Sequence, residues 1–95
     1  MKSISLSDIA NTAILQFAKT DVLINKVQIA DRQQDLLRAM LLHHQEHQPV
    51  NIYFKNGSGE LFGVECEVIA VTDEHVMLKS GIIIPVRSIV LIELL

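Results

Sequence analysis

The sequence has one cysteine, one tyrosine, no tryptophan and no long uncharged apolar run. Each shortage removes a class of protein. The lone thiol of Cys66 has no partner for an intrachain disulfide, so a reducing, cytoplasmic setting is expected. No stretch reaches the roughly 18 apolar residues of a membrane span. The opening MKSISLSDIA lacks the apolar block of a signal peptide. Basic charge is also scarce. Residues 1–48 are neutral, whereas residues 49–95 hold only Lys55, Lys79 and Arg87 against Glu60, Glu65, Glu67, Asp73, Glu74 and Glu93. A nucleic-acid binder usually carries a basic stripe, and this half carries none.

Apolar residues, by contrast, are plentiful. They make up 49% of 95 residues, and the mean hydropathy is +0.34. A chain this short forms one domain and keeps much of its surface exposed. The surplus therefore points to buried subunit interfaces in an oligomer. There are no internal repeats and no low-complexity segments.

The first half reads as helical, an extension over residues 1–48. Ser7 and Asp8 offer N-cap oxygens, and Ile9, Ala13, Ile14 and Phe17 come after them at helical spacing. DVLINKVQI, residues 21–29, is ambiguous between strand and helix. Asp31 with Gln34 resembles a capping box, and Leu36, Leu37, Met40 and Leu41 form the apolar face of the helix it would start. Gln48-Pro49 ends it.

The second half reads as five short strands. In Val50 to Lys55 the side chains alternate, and Asn56-Gly57 is expected to supply the positive φ of a turn that Ser58-Gly59 lengthens. A long strand from about Glu60 to Val71 carries Gly63, which suggests a bulge or bend. Strands at His75–Lys79, Ile82–Pro85 and Ile89–Leu95 complete the set, with a break at Arg87-Ser88. The fold class is mostly β with an N-terminal α region, a small bent antiparallel barrel over residues 49–95 preceded by helices.

No catalytic constellation emerges, and an enzyme is not expected. His43 and His47 share a helix face and are spaced to chelate a metal. The zincin HExxH order is absent, and no nearby cysteine completes a structural zinc site. No metal or cofactor is therefore expected. His43, His44 and His47 also suit a helix C-terminus electrostatically. His75 reads as turn surface and Cys66 as inert core.

PVNIYFKNG, residues 49–57, is similar to the first strand of the bacterial Hfq branch of the Sm-like superfamily, where a PV-x-IY-x-x-NG pattern recurs. Val71-Thr72-Asp73, Val76 to Lys79 and IPVRSIVLI, residues 84–92, resemble its later strands. The likeness covers roughly residues 47–95. Three departures accompany it. The turn after Gly57 is longer, Val86-Arg87 replaces a basic-histidine pair, and the N-terminal extension exceeds the family's short helix.

The resemblance implies a homo-oligomeric ring, hexamer or heptamer, in which the fourth strand of one subunit pairs with the fifth of the next. It also implies single-stranded RNA as a partner, bound by stacking and loop contacts repeated around the ring. By position the candidates are Tyr53, Asn56, Gly57, Lys79 and Arg87. Each has a plainer role as well. Tyr53 can cover a sheet surface, turn chemistry alone explains Asn56-Gly57, and Arg87 can pair with Glu93 or Asp73. An oligomeric scaffold without RNA and an SH3-like module that binds a protein partner remain alternatives.

Overall fold

In the computed structural model, residues 2–3 and 16–94 are described. Most of the helix expected after Ser7-Asp8, including Ile9 and Ile14, lies outside them. The segment that was ambiguous in sequence resolves around Asn25. Its Oδ1 accepts from the backbone N–H groups of Val27 at 2.8 Å and Gln28 at 3.2 Å. That N-cap starts helix α1, Lys26–Glu46. Asp31 is thus an interior helical residue, not the cap. At the other end His47 takes the left-handed conformation (φ 51°, ψ 36°), and its N–H returns to the His43 carbonyl.

The face that α1 buries is half of the expected leucine stripe. Arg32, Leu36 and Ala39 are buried, with Met40 packed against the core, whereas Leu37 and Leu41 are exposed. The buried stripe is rotated toward two polar residues, Arg32 and His43. Each meets a carboxylate off the helix, Asp21 and Glu67 respectively. The Arg32–Asp21 ion pair and the His43–Glu67 hydrogen bond, with Leu36 and Ala39 between them, fix the helix rotation.

Among the described residues, seven strands form two sheets. β1 (Lys2–Ser3), β2 (Val50–Lys55), β3 (Leu61–Cys66) and β7 (Ile89–Leu94) lie in the order β1-β3-β2-β7. β4 (Val68–Val71), β5 (His75–Leu78) and β6 (Ile83–Pro85) lie in chain order. All pairs are antiparallel except β1 with β3. The alternation in β2 is as expected: Val50, Ile52 and Phe54 are fully buried, and Asn51, Tyr53 and Lys55 half-buried.

The single long strand expected from Glu60 to Val71 is two strands. The β2–β3 ladder runs unbroken through Gly63, opposite Tyr53. The break falls at Glu67, whose carbonyl accepts from Lys79 N–H at 2.9 Å. The five expected strands therefore become six after the helix. β6 and β7 are joined by a 3-10 turn, Val86–Ser88, with no ladder between them, so no closed barrel forms among the described residues.

Positive φ falls at Gly59 and Gly81, not at Asn56-Gly57. Gly59 N–H bonds the Asn56 carbonyl and Asn56 N–H the Glu60 carbonyl. This is a three-residue loop with a left-handed third residue. One core joins helix and sheets: Leu36 and Ala39 lie in the same buried cluster as Val50, Ile52, Phe54, Leu78 and Ile84.

Candidate functional site

The outer side of β7 carries the most distinctive surface. β2 pairs with its inner side at Ile52↔Ile92 and Tyr53↔Leu91. The register then shifts, so that Ile89 faces Phe54 and Val90 has no partner. No described strand pairs with the other side. A groove of about 320 Å³ runs there between β7 and α1, lined by Leu23, Gln28, Asp31, Arg32, Val90 and Leu91 among others. Leu91 is 53% exposed. On the second sheet, β6 likewise has one unpaired side, and its Ile83 is 48% exposed.

Arg32 sets the floor of the groove. Its guanidinium donates to both oxygens of Asp21, at 2.9 and 2.7 Å, and to the Ile89 carbonyl at 2.9 Å. The Arg32 hydrogen bond holds the Asp21 carboxyl below the ordinary carboxylate range. The start of β7 is thus tied to α1, and its outer edge pairs with no described strand.

The candidate RNA residues are each engaged within the chain. Tyr53 donates its hydroxyl to Glu93 Oε1 at 3.1 Å, and Asn51 donates to the same oxygen. The Glu93 hydrogen bond pushes the Tyr53 phenol up. Asn56 Oδ1 accepts from the N–H groups of Ser58 and Glu60, which is turn chemistry. Gly57 N–H bonds the Gln16 carbonyl at 2.6 Å, so the segment around Phe17 lies across that loop. Lys79 Nζ pairs with Glu67 Oε2 at 3.3 Å. Arg87 Nε donates to the Ala18 carbonyl at 2.6 Å and not to Glu93 or Asp73. Asn56 and Gly57 share a cleft; Lys79 and Arg87 line two others, each beside acidic residues.

A second cluster was legible in sequence only for its two histidines. Glu67, at the break between β3 and β4, reaches the last turn of α1, where its Oε1 lies 3.1 Å from His43 Nδ1. His47 completes the group: one ligand atom from each of His43, His47 and Glu67 lies within 4.8 Å of the others. The His43 hydrogen bond, aided by Lys79, holds Glu67 below the ordinary carboxylate range. The histidine spacing was visible in sequence. Its carboxylate partner, twenty residues on, could be found only from the fold.

No family model, curated protein or solved structure matches the chain. Function is therefore argued from geometry. Among the described residues, no helix is long and apolar enough to cross a membrane.

Proposed function

We propose that the protein is a ring-forming, Sm-like assembly protein that acts as an oligomeric scaffold. The carrying observation is the pair of unpaired strand edges, β6 and β7, with exposed Ile83 on one and exposed Leu91 on the other. Unpaired apolar edges invite pairing with another chain. Pairing β6 of one copy with β7 of the next is head-to-tail, the kind of interface that closes rings. The groove beside Leu91 gives the incoming Ile83 a place to bury. The strand order β2, β3–β4, β5, β6, β7, with a break at Glu67 where the chain passes from one sheet to the other and a short turn between the last two strands, supports the Sm-like reading of a bent small barrel. The sequence likeness of residues 49–57 supports it independently.

Single-stranded RNA is the second reading, favoured by the half-exposed row Asn51, Tyr53 and Lys55 along β2. Glu93 at the centre of that face opposes phosphate, and repeated stacking would have to supply the affinity. The scaffold reading needs no such compensation.

Light scattering on the full chain tests the assembly, with a mass several times 10.6 kDa expected. Ile83→Lys and Leu91→Glu should each give monomers. Mixing the two variants should restore one contact and yield dimers. A monodisperse wild-type monomer at micromolar concentration rejects the proposal. Anisotropy titration with A-rich and U-rich oligonucleotides at about 50 mM salt, where phosphate contacts are little screened, separates the two readings. A flat titration leaves the scaffold. Binding lost in Tyr53→Ala, and weakened with a flatter salt dependence in Arg87→Ala, establishes the RNA ring.

A further inference from the structure

We propose that His43, His47 and Glu67 form a divalent-metal site that takes zinc and ties the C-terminal turn of α1 to the β3–β4 bend. The inference is independent of the scaffold reading.

The donor set favours zinc. Two imidazoles and one carboxylate, with a fourth position open to water, form a common zinc environment. Calcium and magnesium prefer all-oxygen shells. The three side chains come from two separate elements. His43 and His47 are one helical turn apart, and Glu67 arrives from the sheet. Their ligand atoms lie within 4.8 Å of one another. Zinc–ligand distances of about 2.0–2.2 Å require these atoms to draw together by roughly an ångström. His47, which is exposed, can supply this by rotating its side chain.

Two details go beyond proximity. First, His47 is the only non-glycine with positive φ among the described residues. Glycine or asparagine would fill that capping position more readily. A histidine there sets its ring edge-on to His43, with centroids 5.4 Å apart. The left-handed backbone of the cap does not require that ring. Second, the His43–Glu67 hydrogen bond already aligns two ligands. The ion would take the place of the hydrogen bond between Nδ1 and Oε1, with the imidazole N–H carried on Nε2. Glu67 Oε2 would keep Lys79, an outer partner that orients the carboxylate. His43 and Glu67 are largely buried, while exposed His47 gives the ion a path in.

Calorimetric titration of the chelator-stripped full chain with zinc alone tests this. One ion per chain is expected. His47→Gly keeps the left-handed cap, so its melting temperature without metal should not fall, yet its zinc affinity should drop at least about tenfold, a loss seen even for outer-shell partners. Glu67→Gln should lose affinity similarly. His44→Gln and His75→Gln should bind as wild type does. Cobalt(II) should give the visible bands of a four-coordinate site in the wild type and not in His47→Gly. Absence of zinc heat at millimolar metal, or binding unchanged in both His47→Gly and Glu67→Gln, overturns the proposal.

Discussion

Arg32 grips both carboxylate oxygens of Asp21 from within the buried face of α1 and turns a further N–H to the Ile89 carbonyl. A helix that buries an arginine must satisfy it, because an unpaired buried charge is costly. Asp21 pairs with its terminal nitrogens from the segment before the helix, and Ile89 from the last strand, while the buried Nε has no hydrogen-bond partner among the described residues. One side chain thus joins three parts of the chain.

Asp21→Asn should therefore destabilise the protein by about 1–2 kcal/mol, low for a charge-assisted bond because Asp21 is partly open to water. Urea unfolding of Asp21→Asn, Arg32→Met and the double variant gives the coupling. The double should cost less than the sum of the singles. Strict additivity would show that the pair is not coupled.

Acid should weaken the fold through the same contact. The folded-state pKa values of Asp21 and Glu67 are lowered, by Arg32 and His43 respectively. Their contribution is complete above the unfolded values, about 3.9 and 4.3, and is lost as pH falls through the folded ones. Stability measured from pH 6 downward should fall below roughly pH 4.5, as those values imply. The slope should be shallower in Asp21→Asn. An identical slope in that variant would remove Asp21 from the account.

Tyr53 is the chain's single tyrosine, and there is no tryptophan, so its phenolate absorbance can be read without interference. Its pKa is raised by the hydrogen bond to Glu93. The bond therefore helps below about pH 10, the ordinary tyrosine value, and is lost as pH rises through the folded pKa. The spectrophotometric midpoint should lie above that value, and Glu93→Gln should bring it down. A midpoint that does not move would exclude Glu93 as the cause.

Cys66 is buried, and burial pushes its thiol up to about 12. Thiolate is the reactive form, so native protein should resist disulfide reagents and label only on unfolding. Labelling at the rate of a free thiol in native buffer would show that this part of β3 opens readily.

Leu36 is fully buried in the core shared with the strands. Leu36→Ala should cost about 2–5 kcal/mol in a single unfolding transition seen by helix and sheet probes alike. Two separate transitions would make α1 an independent arm.

Much of the strand pattern was legible because the alternation in residues 50–55 has few other solutions, and the Thr72-Asp73-Glu74 and Ser80-Gly81 turns punctuate the later strands. The helix rotation was not. Periodicity chose Leu36, Leu37, Met40 and Leu41, of which Leu36 and Met40 do face the core, but long-range partners added Arg32 and His43 in place of Leu37 and Leu41, and hydrophobicity cannot report those. Gly63 drew the expected bend away from Glu67 because glycine is the usual marker of a broken strand. The break instead lies where Glu67 begins to bond Lys79. The histidine pair was visible, but its carboxylate was not, because sequence spacing within one helix does not show which strand lies beside it.

The β2–β7 ladder has a kinetic consequence. It pairs Val50 with Leu94 and Ile52 with Ile92, so the first long strand finds its second neighbour only after every other strand has been synthesised. Closing so long an intervening loop costs chain entropy before any contact repays it. Folding therefore cannot proceed strand by strand from the N-terminal side. Until β7 arrives, one edge of the β2–β3 hairpin stays open, and α1 lacks the Ile89 carbonyl that Arg32 needs.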